Sequence, residues 1–320
     1  MGAWANAGPY AWLERDGWES VAWGCEDRVI VEPGAEGDPL ALLETALEGS
    51  LEAPWGPAGG VFGFLGYEAA RFCNGLPVAG VPAIPGTRDL PDVFWFLPRV
   101  VWLREASTGN EWLMVRAGKA PERPAISKIE SVGDEDAEPV QEWGRAEHED
   151  RVRRLQEFIA AGECYQGNLS RLTWRTGVAD PLAAYQVLRS AHPADMAGLI
   201  SVGDGRLVLS LSPEVFLEVR DGHAWTRPIK GTRPRGSTQA EMEAAIRELE
   251  ASPKDLAELA MIVDLERNDL GRVCDRIRVT EGGTVEGTTS VVHRVAEVRG
   301  RLRAGWADLL RATFPSGSVT

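Results

Sequence analysis

Short apolar and aromatic runs, broken by glycine and proline, constrain this chain more than any other feature of it. GGVFGFLGY and VFWFLPRVVWLRE are rich in aromatic and β-branched residues and read as buried strands rather than helices. RLVLSLS and VFLEV are likewise extended, and Asp221-Gly222 is a strong turn signal before HAWTRPIK. Helical periodicity is confined to a few places. EHEDRVRRLQEFIAAG sets Val152, Leu155, Phe158 and Ile159 on one stripe, with Gly162 as a stop. Ser252-Pro253 supplies a cap and first turn for a helix carrying Leu256, Leu259, Ala260 and Val263. CYQGNLSRLTWRT reads as a further strand. With no internal repeat, the expected fold class is α+β: large antiparallel sheets with a few helices packed on them.

The segmentation follows composition. Residues 1–116 read as a mainly β N-terminal domain, and nine of the twelve tryptophans precede residue 150, mostly as core. Residues 117–144, with prolines, glycines and the acidic run GDEDAE, read as a linker or surface excursion. Residues 145–320 read as a second domain of strands and helices. A formal net charge of -14, from 34 basic and 48 acidic side chains, opposes phosphate backbones and anionic lipid unless basic residues cluster locally. Nucleic acid and membrane are therefore not expected partners. The N-terminus has no basic region followed by an apolar core, and no apolar run is long enough to span a bilayer. Cys25, Cys73, Cys164 and Cys274 lack CxxC spacing and read as free thiols, so a cytoplasmic location is expected.

RPIKGTRPRG carries the one unusual lysine, Lys230. If Asp221 and Gly222 alone make the turn, Glu214 falls opposite Ile229 and Lys230 takes the other face. One bulge or a three-residue loop would set Glu214 opposite Lys230, and Pro228, which cannot donate to a ladder, invites irregularity. Spacing alone leaves two readings open: an exposed ion pair, or an acid beside an amine nucleophile. PKDLAELAMIVDLERNDLGR carries Asp255, Glu258, Asp264, Glu266 and Asp269. About 12 Å of helical rise separates Glu258 from Glu266, so they do not share one small cation. Most of these acids are expected in solvent or paired with Arg267 and Arg272. Glu258 stands beside an apolar stripe, where a buried carboxylate would want a hard cation such as Mg²⁺. His293, in VVHRVAEV, is by itself an ordinary sheet residue, and no histidine pair has metal-ligand spacing. GGVFGFLG lacks the spacing and lysine of a phosphate-binding loop.

GECYQGNLSRL, SLSPEVFLEV, RPIKGTRPRG, ELAMIVDLERNDLGRVC, VVHRVAEVRGRL and TFPSGSVT, in this order, resemble the chorismate-utilising enzymes, most of all the synthase subunit (component I) of aminodeoxychorismate synthase. GGVFGFLGYEAARF and PYAWLER resemble that family's N-terminal domain, so the likeness spans nearly the whole chain and implies the anthranilate synthase component I-like sandwich. The water-adding isochorismate and salicylate synthases carry a base lysine where this chain has Gln166, and a neutral amide cannot take a proton from water. Anthranilate synthases usually carry alanine where this chain has Lys230.

The resemblance implies that Lys230 attacks C2 of chorismate while Glu214 protonates the departing C4 hydroxyl. Ammonia from a separate glutaminase then displaces the lysine, giving 4-amino-4-deoxychorismate for para-aminobenzoate and folate synthesis. It further implies Glu258 as a Mg²⁺ ligand, and Thr232, His293 and Gln166 beside the substrate. Family members continue past SGSVT with Gly-Ala-Pro-Lys, a second magnesium glutamate and a glycine-rich loop for the substrate carboxylates. The expectation is that these 320 residues alone turn over little chorismate. Anthranilate synthase component I, and a noncatalytic glutaminase-binding module, are the alternatives.

Overall fold

The computed structural model describes residues 8–15, 17–48, 60–75, 90–116, 118, 140–141, 143–171, 173–174, 180–194, 196–203, 205–280 and 282–319. The expected linker therefore lies mainly outside the described residues, although Val140–Gln141 forms a short strand against Thr173–Trp174.

The architecture is α+β. A seven-stranded antiparallel sheet runs in the order Phe62–Leu65, Val93–Glu105, Trp18–Val31, Tyr10–Arg15, Met196–Gly203 and Arg206–Ser212, with Glu111–Val115 also pairing on Val93–Glu105. The aromatic runs become its interior: Trp12, Trp23, Phe62, Phe94, Trp95 and Phe96 are all buried. Phe94 and Phe96 stack at 6.0 Å between ring centroids, a geometry favoured beyond simple area burial. Two of the seven strands come from residues 196–212, so the N-terminal and C-terminal segments share one sheet.

The remaining strands form two smaller sheets that position the site. One runs Val215–Arg220, His223–Arg227, Val298–Leu302, Cys274–Val279. The other runs Ile229–Pro234, Val291–Val295, Thr284–Gly287. The helices Pro253–Gly271 and Trp306–Thr313 cover the first, burying Ala224, Leu270, Cys274, Val298 and Leu309 together. Gln239–Glu250 backs the second through Ala245, Leu249 and Val292.

Local chemistry sets the helix boundaries as expected around residue 252. The Ser252 hydroxyl accepts from the Asp255 N–H at 3.3 Å, and Pro253 opens the helix, where its missing N–H costs nothing. Thr238 and Glu241 form a reciprocal capping box on the preceding helix.

One expected strand does not form. The segment Cys164–Arg171 is not a strand. Its residues are largely exposed, Tyr165 to 96%, so no buried face holds a ladder, and only Thr173–Trp174 is extended. The helix Arg145–Ala160 forms with Gly162 in the left-handed region just beyond it, but its stripe is not core: no residue in it is buried, and Phe158 and Ile159 are exposed. All four cysteines are free thiols. Among the described residues no helix is long and apolar enough to cross a membrane.

Candidate active site

The hairpin at Asp221-Gly222 begins in the expected register, with Arg220 opposite His223 and Glu218 opposite Trp225. It then slips, and Val215 faces Arg227. The extra residue sits in the first strand, at Phe216-Leu217, rather than in the turn or the second strand. Neither expected placement of Glu214 holds. Glu214 lies just before the ladder, in a turn where its N–H donates to Ser212 Oγ at 3.1 Å, and Lys230 belongs to a different ladder.

A second irregularity places Lys230. Ile229 pairs with Val295 and Thr232 with His293, so Lys230 and Gly231 together oppose one residue. Such a bulge turns a side chain out of the alternation of the strand. Gly231 makes the bulge possible: its φ is +85°, and a Cβ there would lie 2.7 Å from Leu249 and 2.9 Å from Asp255.

The two predicted catalytic residues meet through a third that sequence reasoning did not single out. Ser318 Oγ donates to Glu214 Oε1 at 2.6 Å, while the Ser318 carbonyl accepts from Lys230 Nζ at 3.2 Å. Glu214 Oε1 also accepts the Ile229 N–H at 3.1 Å. Its lone pairs are thereby engaged, which leaves Oε2 without a hydrogen bond among the described residues. The loop holding Ser318 is seated by Gly317, where a Cβ would meet Leu265 at 2.6 Å.

The network continues to Glu266. The Ser318 N–H donates to Ser316 Oγ, which donates to Glu266 Oε1 at 3.2 Å, and Thr226 Oγ1 donates to Glu266 Oε2 at 2.8 Å. Glu266 is buried with no ion pair among the described residues, and that burial pushes its carboxyl up to about 7 against the help of both hydroxyls. The expectation for the helix acids thus splits. Asp264 pairs with Arg267 and Asp269 with Arg272, but Glu266 is in the interior. Its signal in the sequence was its place on the face of Asp255, Leu259 and Ile262, all buried.

His293 and Thr232 come together, Thr232 Oγ1 lying 2.9 Å from His293 Nδ1. His293 Nε2 is buried with no hydrogen-bond partner and lines a cavity of about 560 Å³ beside Val215, Arg227, Ile229 and Glu286. Desolvation holds its imidazole below the usual histidine value, against the pull of Glu214 and Glu286. A neutral ring with one free nitrogen on a cavity wall can donate to or accept from a ligand. Gln166 stands exposed in the loop after Arg145–Ala160, with no hydrogen bond to this network.

Glu258 is not buried as its neighbours suggested: its side chain is 41% exposed, 3.7 Å from Lys254 Nζ. No group of three or more His, Cys, Asp or Glu side chains converges among the described residues. Magnesium keeps most of its water and binds through one or two carboxylates. Glu258 fits that role as one ligand of a hydrated ion, not as part of a closed protein cage.

Lys230, carried on a bulge, and Glu214 thus converge on Ser318 within an α+β fold. Residues 8–320 match the family described as chorismate binding enzyme, and the chain belongs to that family. It is 37% identical over 321 residues to anthranilate synthase component 1 of Streptomyces coelicolor, covering 91% of this chain and 63% of that protein. It is 35% identical over 305 residues to aminodeoxychorismate synthase component 1 of Salmonella typhimurium, covering 88% of this chain and 64% of that one. The chain thus spans somewhat less than two thirds of the length of these relatives. In fold it is similar to the crystal structure of anthranilate synthase component I from Streptococcus pneumoniae, with a TM-score of 0.81 at 24% identity over 95% of this chain and 73% of that one.

Proposed function

We propose that the chain aminates chorismate at C4, as aminodeoxychorismate synthase component I does. The observation that carries the reading is the joint contact of Glu214 and Lys230 with Ser318. Relatives of both the aminodeoxychorismate and the anthranilate type match this chain, so the choice between them rests on Lys230, which an anthranilate synthase does not need.

Neutral Lys230 forms a bond from Nζ to C2 of chorismate as both ring double bonds shift, C1=C2 to C1=C6 and C5=C6 to C4=C5, and the C4–O bond breaks. Glu214 supplies the proton from Oε2, so the leaving group departs as water. The Lys230 nitrogen sheds its extra proton, and ammonia then attacks C4. Both double bonds return, the C2–Nζ bond breaks, and the proton shed by the new C4 ammonium restores the lysine amine. One direct displacement becomes two allylic ones, and the pyruvyl ether is retained. Thr232 and His293 orient the ring. Mg²⁺ held by Glu258 would neutralise the ring carboxylate. Ammonia comes from a separate glutaminase. Gln166, being a neutral amide, contacts substrate without activating water.

The test extends the chain with its downstream coding sequence and supplies chorismate, Mg²⁺ and ammonium. A product that keeps the pyruvyl group, lost in Lys230→Ala, supports the reading. Anthranilate with release of pyruvate, or full activity in Lys230→Ala, overturns it.

A further inference from the structure

Away from Lys230, the sheet built from Val215–Arg220, His223–Arg227, Val298–Leu302 and Cys274–Val279 carries a second concentration of charge. On the face turned from the helices, Arg278 lies directly opposite Arg299, which lies opposite Trp225. The adjoining row sets Asp275 opposite Arg301, and Arg301 opposite His223. Like charges directly opposed in an antiparallel pair repel at close range, so the Arg278–Arg299 pairing works against the sheet.

Nearby carboxylates do not relieve it. Asp275 holds Arg301 through two hydrogen bonds, 2.9 and 2.8 Å, and lies 3.8 Å from Arg303. Glu218 is committed to Arg15 and Arg220. Arg276, Arg278 and Arg299 form no ion pair among the described residues, and the Arg299 guanidinium instead lies 5.3 Å over the Trp225 ring. Arg276 sits in a bulge at φ +55°, a conformation that favours glycine. Repulsion and backbone strain are thus both concentrated at one place, the pattern expected where binding rather than stability sets the residues.

These side chains enclose a concavity of about 520 Å³ lined by His223, Arg276, Arg278, Arg299 and Arg301, with Glu297 at its wall. That volume falls in the range of small-ligand sites. We propose that it binds a small dianionic oxyanion, a phosphate monoester or a dicarboxylate, through the Arg278–Arg299 pair with Arg276 beside it. Arginine forks suit such oxygens, and the anion would remove the repulsion between the two strands. A free anion is favoured over a lipid headgroup because a net charge of -14, with Glu297 at the cavity wall and Asp275 paired to Arg301, opposes a flat anionic surface.

The experiment titrates inorganic phosphate and succinate into the 320-residue chain at constant ionic strength, by calorimetry and by thermal melting. The expected result is saturable binding of at least one of them, weakened about tenfold or more in Arg278→Gln and in Arg299→Gln and unchanged in Arg145→Gln. Arg278→Gln should also melt higher than the parent without anion, and lose that advantage in saturating anion. Equal responses of all variants, or responses matched by chloride, overturn the proposal. So does binding to phosphatidylglycerol vesicles without binding to either free anion.

Discussion

The Ser318 hydroxyl donates to Glu214 at 2.6 Å, across 104 residues of sequence. It fixes which carboxylate oxygen is occupied and which remains for chemistry. Ser318→Ala removes a hydrogen bond to a group that cycles through charge, an interaction of about 1.5–3 kcal/mol. In the extended enzyme, kcat should fall roughly tenfold or more with a smaller change in KM. Steady-state kinetics on chorismate check this.

Lys230→Arg should be as inactive as Lys230→Ala. A guanidinium keeps its charge at any working pH and has no free electron pair on nitrogen. Trapping with labelled chorismate followed by peptide mass analysis should find a Lys230 adduct in the parent and none in either variant.

Glu266 makes stability depend on pH. Its folded value of about 7 exceeds the ordinary 4.5, so the folded state binds the proton more tightly than the unfolded one. Its contribution is therefore fully present below pH 4.5 and is lost as pH rises through 7. Glu266→Gln keeps the hydroxyl contacts without the charge. Urea unfolding should show the variant gaining up to about 3 kcal/mol over the parent between pH 5 and 8.

Gly231→Ala places a Cβ against Leu249 and Asp255 in a backbone region that L residues avoid. A loss of roughly 2 kcal/mol or more is expected in chemical denaturation. Even where the fold survives, the bulge that aims Lys230 should relax and activity should drop.

Glu258→Gln should weaken Mg²⁺ binding to the extended enzyme by about tenfold or more, read by isothermal titration calorimetry. An unchanged affinity would remove Glu258 from the metal's ligands.

Local signals carried the reading of the fold where local chemistry decides. Ser252-Pro253 marked a helix start, and Asp221-Gly222 a turn, because one cap bond and one backbone conformation suffice there. The register beyond the turn was illegible. Its slip falls at Phe216-Leu217, whose side chains pack against the cluster of Leu40, Ala307 and Leu310, distant residues that no local pattern records. Glu214 and Lys230 were legible as residues, through RPIKGT and SLSPE, and as possible neighbours across a ladder, but the route of their meeting was not. It runs through Ser318, brought in by the last loop of the chain. Cys164–Arg171 departs from the expected strand because it lies largely exposed, with no buried face to hold a ladder.

The pairing of Tyr10–Arg15 with Met196–Gly203 orders events during synthesis. The strand Tyr10–Arg15 can pair with the adjacent Trp18–Val31 as soon as both have left the ribosome, but its other edge stays open until residues 196–203 emerge. That long-delayed contact slows closure and leaves an aromatic strand edge available for pairing with other chains meanwhile. Folding yield for this protein should therefore depend on how long that edge waits, a cost imposed by topology and unrelated to the chemistry at Lys230.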